Sequence, residues 1–316
     1  MRALITGVTG QDGSYLAGQL DAAGWVVYGL VHGQEEPRWS WVQNLVPAMR
    51  LLQGDLIDQA SLQTALQAAR PDVVFNLAAL SFVGSSWSQP AITAEVTGLG
   101  CLRMLDAIRF VNPEIRFVQA SSSEMFGRSA SFPQDEETPL CPCSPYAVAK
   151  VFAHHITVNY RESYGLHAST AISFNHESPR RGPEFVTRKV TQAVARIARG
   201  AQDKLVLGQL DPCRDWGWAP DYMRALPLIA GRDEPDDFVL ATGESRSVAQ
   251  WCEAAFAAAG LDWQPHVVSD PDLYRPDEVM FLQGDAGKAR RLLGWEPEMD
   301  FAQIVSAMVR HDMAQA

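Results

Sequence analysis

Arg2-Ala3-Leu4-Ile5-Thr6-Gly7-Val8-Thr9-Gly10-Gln11-Asp12-Gly13-Ser14-Tyr15-Leu16 reads as a short buried strand, a glycine-rich turn and the first turn of a helix. The helix continues to about Ala23 with Leu16 and Leu20 as core positions, Gly24 closes it, and Trp25 to Val31 reads as a second strand. This strand–turn–helix–strand unit suits a dinucleotide pyrophosphate. Glycines let backbone approach phosphate, and a helix N-terminus supplies unpaired N–H groups with the positive end of the dipole. The spacing is G-x-x-G-x-x-G, so the fingerprint draws its weight from its place in a complete βαβ pattern.

Outward from that unit, strands and helices keep alternating. Arg50–Gln53 is expected as a strand ending in Gly54-Asp55-Leu56, Gln59–Ala69 as a helix, and Val73–Leu77 as a strand ending in Ala78-Ala79. Ile92–Phe110 is expected as one long helix and Ile115–Ala120 as another strand. Such alternation predicts an α/β fold with a doubly wound parallel Rossmann sheet, whose ligands lie at the carboxyl ends of the strands. The Gly7–Gly13 turn, Asp55, Ala78, Ala79 and Ser121–Glu124 all fall at such ends.

The Ile115–Ala120 strand runs into Ser121-Ser122-Ser123-Glu124, and Ser144-Pro145-Tyr146-Ala147-Val148-Ala149-Lys150 opens a long helix further on. Tyr146 and Lys150 share a helix face one turn apart. Free tyrosine ionises near a pKa of about 10. A neighbouring cation lowers that value, so Lys150 is expected to bring Tyr146 into the range of a general base.

After a strand at Ala168–Phe174 the alternation loosens. Asn175-His176-Glu177-Ser178-Pro179-Arg180-Arg181-Gly182 is expected as a loop, Val186–Arg199 as a helix, Lys204–Leu207 as a strand, and Arg214–Trp218 as an aromatic-basic turn. A helix at Asp221–Ile229, a strand at Phe238–Ala241 and helices at Ser247–Ala259 and Phe301–His311 follow. The expected organisation is a dinucleotide-binding domain, residues 1–175 with a returning segment near 211–242. A smaller mixed α/β C-terminal substrate domain takes residues 176–210 and 243–316.

The chain has 316 residues, 47% hydrophobic and 20% charged, which suits a large folded core. Its net charge of −11 argues against nucleic-acid binding, and no apolar run reaches membrane-spanning length. Met1-Arg2 leads at once into the first strand without the apolar centre of a signal peptide. Five scattered cysteines (Cys101, Cys141, Cys143, Cys213, Cys252) argue for a reducing compartment, so a cytoplasmic location is expected. Cys141-Pro142-Cys143 lacks further ligands at zinc spacing and no metal is expected; His154-His155 reads as an ordinary, partly exposed pair. In so acidic a chain the cluster of Arg180, Arg181, Arg188 and Lys189 marks where an anion enters.

The glycine turn together with Tyr146-x-x-x-Lys150 resembles the extended short-chain dehydrogenases/reductases that act on nucleotide sugars. Within them the chain is most similar to the GDP-mannose 4,6-dehydratase family. The matching stretches are Gln11–Leu16, Phe174–Gly182, Phe185–Lys189, Arg214–Gly217, Tyr274-Arg275-Pro276 and Leu282–Asp285, spread over nearly the whole chain.

The resemblance implies a lyase that converts GDP-mannose, or a closely related GDP-hexose, to GDP-4-keto-6-deoxy-mannose and water, recycling a tightly held NADP or NAD. It implies oxidation at C4 by Tyr146 with Lys150, then removal of the C5 proton by Glu124 while Ser122 donates to the sugar O4 or the departing O6, and hydride return to C6. Cofactor contacts are implied for Gly7, Thr9, Gly10, Gln11, Asp12, Gly13, His32, Asp55, Leu56, Leu77, Ala78, Ala79, Ser81, Tyr146, Lys150, His176 and Arg181. Substrate contacts are implied for Ser81, Ser122, Glu124, Asn175, Val186, Lys189, Arg214, Arg275 and Glu278. Arg214 and Arg275 suit diphosphate oxygens, and Glu278 a ribose hydroxyl pair.

The chain departs from the family pattern at several points. Ser122 stands where the family has threonine, Phe82 where a histidine is usual, and Ile92 where a tyrosine is usual. The segment His32-Gly33-Gln34-Glu35-Glu36 after the second strand is about a dozen residues short and lacks the usual arginines. NAD and NADP both stay open on these residues. A homodimer through Ile92–Phe110 and Ser144–Gly165 is expected, with tetramer assembly open. Two other readings compete: an NAD(P)H-dependent reductase of a GDP-4-keto-6-deoxy sugar, which needs no extra carboxylate beside Tyr146, and a non-catalytic nucleotide-binding scaffold.

Overall fold

The structure is a computed structural model that describes residues 1–33 and 37–315; Gln34, Glu35 and Glu36 of the short segment, and Ala316, lie outside the described residues. Its centre is a sheet of seven parallel strands. In chain order these are β1 (Arg2–Thr6), β2 (Val26–Val31), β3 (Arg50–Gln53), β4 (Val73–Asn76), β5 (Arg116–Ser122), β6 (Ala168–Ser173) and, after the short strands β7 (Asn175–Glu177), β8 (Leu205–Leu207) and β9 (Cys213–Trp218), β10 (Asp237–Leu240). The spatial order is β10-β6-β5-β4-β1-β2-β3. The order reverses between β1 and β4, where the outward-leading connections part and leave a crevice at the carboxyl ends.

Period-two alternation splits β1 between the two faces. Ala3 and Ile5 join a core with Leu16 and Leu20 of the Gln11–Ala22 helix and with Leu226 of the Ala219–Ala230 helix. Leu4 joins the opposite core, with Leu62, Met104 and Tyr160 from three other helices.

The remaining strands make two small sheets. β11 (Ser245–Ser247) pairs antiparallel with β9, which pairs parallel with β7. β12 (Val267–Ser269) pairs parallel with β8. A third core gathers around Trp216, Trp251, Phe256, Ile304 and Met308. Of the returning segment, the Ala219–Ala230 helix and β10 pack with the central sheet, whereas β9 belongs to the small sheet.

Several expectations are corrected. Asn175–Glu177 and Cys213–Trp218 are strands rather than a loop and a turn, paired from Asn175↔Trp216 to Glu177↔Trp218. The long helix expected over Ile92–Phe110 is Pro90–Thr93, a π-helical stretch Ala94–Leu99, and Gly100–Val111. A helix at Pro37–Leu45 follows the short segment, where no element was expected. His154 is buried, with Nδ1 3.4 Å from the Ser121 hydroxyl, while only His155 of that pair is exposed.

Candidate active site

The glycine turn leaves β1 through Gly7 at φ +68°, a region that favours glycine. A Cβ there would stand 2.8 Å from the Ala78 amide nitrogen, and one on Gly13 would stand 2.4 Å from the Gly7 carbonyl oxygen. The turn is therefore a cradle that side chains would fill. Gly10 precedes the first residue of the Gln11–Ala22 helix, so the free N–H groups of that helix open onto the cradle. These features fit a dinucleotide pyrophosphate.

Beneath the crevice runs a buried polar thread not anticipated from the sequence. Thr6 Oγ1 donates to Asn76 Oδ1 at 2.8 Å and accepts from the Ala78 amide at 3.0 Å. Asn76 Nδ2 donates to Gln119 Oε1 at 2.7 Å, and Gln119 Nε2 donates to the Ala120 carbonyl at 2.9 Å. The same carbonyl accepts from Lys150 Nζ at 2.6 Å. The available signal was a polar side chain, Thr6, Asn76 or Gln119, directly after the apolar run of each of three strands. A buried side chain of this kind needs a partner.

β5 ends at Ser122, whose hydroxyl caps the following 3₁₀ turn by accepting from the Glu124 amide at 3.3 Å. That turn buries the Glu124 side chain. The Pro145–Tyr164 helix begins with Ser144 accepting from the Ala147 amide at 3.1 Å and Pro145 in its first turn, so Tyr146 and Lys150 lie on its first turns, both buried. The Ser122 hydroxyl and the charge of Glu124 are both close enough to act on Tyr146.

The expected lowering of Tyr146 by Lys150 is not what the protein alone produces. Burial raises Tyr146 well above its ordinary value, with Glu124 adding to the rise while Ser122 and Arg181 oppose it. Burial also lowers Lys150 to about 8. Its ammonium sits 5.8 Å from the Tyr146 ring centre and is anchored on the Ala120 carbonyl.

Opposite Glu124, Arg214 on β9 is buried. Its Nη1 donates to Val279 O at 2.6 Å and Cys213 O at 3.0 Å, its Nη2 to Glu278 Oε1 at 2.7 Å, and its Nε lies 3.7 Å from Glu124 Oε1. Arg275, more exposed, reaches Glu278 Oε1 at 3.4 Å. The neighbouring Asp215 was not singled out from the sequence. It is fully buried and accepts from the amides of Thr242, Gly243 and Gly284 at 2.9, 2.9 and 3.3 Å, which ties β9 to two loops.

The other expected residues fall into place unevenly. Asp55, Leu56, Leu77, Ala78 and Ala79 follow the carboxyl ends of β3 and β4, and His32 that of β2, exposed. Ser81 is exposed near Phe82, whose ring meets Phe185 edge-on at 5.7 Å. Asn175 Oδ1 is buried without a partner among the described residues. Lys189, beyond Val186 on the same helix, donates to Val206 O at 2.9 Å.

The expected cluster of arginines separates. Arg188 is buried in an ion pair with Asp312 of the Phe301–Gln315 helix. Arg181 pairs with Glu177 at 3.3 Å and lies 3.7 Å from the Phe185 ring centre. Arg180 stacks 3.9 Å from the Tyr15 ring centre.

A parallel sheet reversing at β1/β4, a glycine cradle on the reversal, and a Tyr-x-x-x-Lys helix beside β5 define a Rossmann-fold protein of the short-chain dehydrogenase/reductase class. The solved structures it resembles agree. A UDP-glucose 4-epimerase from Thermotoga maritima, solved with UDP-glucose, superposes with TM-score 0.88 at 25% identity over 100% of this chain and 99% of that one. A dTDP-glucose 4,6-dehydratase from Streptomyces venezuelae, solved with NAD, gives 0.86 at 26% identity over 98% and 96%. The family model described as GDP-mannose 4,6 dehydratase matches residues 4–308. GDP-mannose 4,6 dehydratase 1 of Arabidopsis thaliana is 46% identical over 99% of this chain and 90% of its own length. A GDP-mannose 4,6-dehydratase of Vibrio cholerae is 43% identical over 99% and 94%. The chain belongs to the GDP-mannose 4,6-dehydratase family.

Proposed function

We propose that this protein eliminates water from GDP-mannose, or a closely related GDP-hexose, giving the GDP-4-keto-6-deoxy sugar. The observation that carries the reading is the convergence of two pairs on one strand end: Tyr146 with Lys150, and Ser122 with Glu124. A bound NADP or NAD, held by the Gly7–Gly13 cradle with Asp55, Ala78 and Ala79 nearby, would accept hydride from C4 and return it to C6. The unpartnered Asn175 Oδ1 offers an acceptor to a ligand. Tyr146 rests protonated and must be lowered into working range to take the C4 hydroxyl proton; the Ser122 hydroxyl and the positive charge of Arg181 act in that direction. Glu124 then removes the C5 proton, made acidic by the 4-ketone, and Ser122 donates to the sugar O4 or the departing O6. Arg214 and Arg275, aligned by Glu278, present guanidinium forks to the diphosphate.

The same reading gives residues 1–175 and the segment near 211–242 to the cofactor, and 176–210 with 243–316 to the substrate. It carries a homodimer through the Pro145–Tyr164 helix and the helical stretch before β5. A cytoplasmic setting suits the five free cysteines.

Incubation with GDP-mannose and catalytic NADP or NAD is expected to give a keto sugar lighter by one water, with no net cofactor reduction. Stoichiometric use of NAD(P)H on a keto sugar would replace this reading with a reductase.

A further inference from the structure

The first turn of the Gln11–Ala22 helix is tied to the chain leaving β6. His176 faces two acceptors: Asp12 Oδ2 lies 2.9 Å from its Nε2 and the Phe174 carbonyl 2.7 Å from its Nδ1. A neutral imidazole has one N–H, so only the imidazolium satisfies both contacts. Gln11 joins in: its Nε2 donates to the His176 carbonyl at 3.1 Å and to Asp12 Oδ1 at 3.0 Å, and its Oε1 accepts from Ser178 Oγ at 2.7 Å. Ser178 is fully buried. Arg180 Nη1 adds a bond to Ser14 Oγ at 3.1 Å.

The surroundings favour the charged pair. Burial opposes it, but Asp12, by charge and hydrogen bond, holds His176 above its ordinary value despite Arg181. Burial likewise pushes Asp12 up, yet His176, Gln11 and Arg181 bring it down to about 2. Glu177 adds a carboxylate beside Arg181, and Tyr222 stacks on the imidazole with ring centres 4.8 Å apart, burial keeping its hydroxyl protonated.

We infer that Gln11, Asp12, His176 and Ser178 form a proton-dependent latch that clamps the phosphate-binding turn to the chain entering the substrate lobe and slows release of the dinucleotide. The inference rests on the reading that the glycine turn binds a dinucleotide. These are positioning residues: the latch holds the turn ready, so less ordering is needed on binding. It suits an enzyme whose cofactor ends each cycle as it began.

The test is the release rate of NADPH, and separately of NADH to exclude titration of the 2′-phosphate, followed by fluorescence without sugar. Release from the wild type is expected to quicken about tenfold from about pH 6.5 to about pH 9, a range spanning deprotonation of a histidine held above its ordinary value. His176→Gln, which cannot carry the charge, is expected to release fast at every pH. Asp12→Asn should do the same, and the double variant should be no faster than either single one. Ser178→Ala is expected to quicken release a few-fold and keep the wild-type pH slope. Lys150, held at about 8, titrates in the same window, so the latch is the part of the wild-type slope that His176→Gln or, where that variant folds poorly, Asp12→Asn removes. A flat wild-type profile, a slope undiminished in both His176→Gln and Asp12→Asn, or additive single effects would overturn the latch alone. Failure of the wild type to bind either dinucleotide would overturn the reading of the cradle and the latch with it.

Discussion

Lys150 carries its charge against its surroundings: the residue is 4% exposed and burial lowers it to about 8. A lowered lysine binds fewer protons folded than unfolded between about 8 and its ordinary value, so its contribution makes stability rise with pH across that window. Below it the full penalty stands, roughly 3 kcal/mol for a shift of this size. Lys150→Met should therefore raise the melting temperature at neutral pH and flatten the rise of stability at alkaline pH. The Ala120 carbonyl would still accept from Gln119 at 2.9 Å. Turnover should nonetheless fall by roughly 10²–10⁴, the scale of a lost acid–base group. A variant both less stable and active would contradict this. Ser122→Ala, which removes the hydroxyl that favours ionised Tyr146 and caps the Glu124 amide, should cost a similar factor in keto-sugar formation. Ser122→Thr should keep wild-type turnover within a few-fold, because it retains the hydroxyl and fixes its rotamer. Tyr146 and Lys150 were legible as a pair because helical spacing fixes their shared face. The direction of the Tyr146 shift was not, because burial is a property of the packed molecule.

At the scale of elements, the central sheet was readable because parallel strands buried on both faces write continuous apolar runs between glycine and polar stops. The strands β7 and β9 were not. Asn175-His176-Glu177 and Cys213–Trp218 are polar and aromatic, and their pairing joins segments far apart in the chain. Arg188 misled for a related reason. As sequence it sits among Arg180, Arg181 and Lys189, but the Val186–Ala198 helix turns it onto Asp312 of the Phe301–Gln315 helix. Removing one member of a buried ion pair leaves the other charge uncompensated, at about 3–5 kcal/mol. Asp312→Leu alone should lose that much in urea denaturation, while Arg188→Met with Asp312→Leu should recover most of it. KM for GDP-mannose should be unchanged in the double variant. A large rise in KM there would return Arg188 to the substrate site.

At the scale of the molecule, one surface is more apolar than a solitary acidic protein needs. A groove of about 660 Å³ runs between the Pro145–Tyr164 helix and the helical stretch before it, with Trp87, Pro90, Val148 and Phe152 among its walls. Val148 is 55% exposed, and Ile92 and Phe152 are each 40% exposed. Exposed side chains of this size, set together on two parallel helical segments (Cys101 beside Thr157, Asp106 beside Tyr160), suit a second copy of the same surface related by a two-fold axis. The exposure on Val148 and Phe152 could be read from helical phase: both lie off the face that carries Tyr146, Lys150 and Ala153 into the sheet. The groove could not, because the π-helical stretch at Ala94–Leu99 and the approach of Gly98 to Phe152 shape it. Covering one such side chain contributes about 1.5–3 kcal/mol, and a two-fold contact counts each substitution twice. Val148→Asp with Phe152→Asp would set four carboxylates in the contact. The wild type should have the mass of two chains by light scattering at micromolar concentration and the double variant that of one. Because both residues are already exposed in the single chain, the variant should keep its far-UV circular dichroism. A wild type that elutes as one chain, or a variant that remains paired, would remove this surface as the dimer contact.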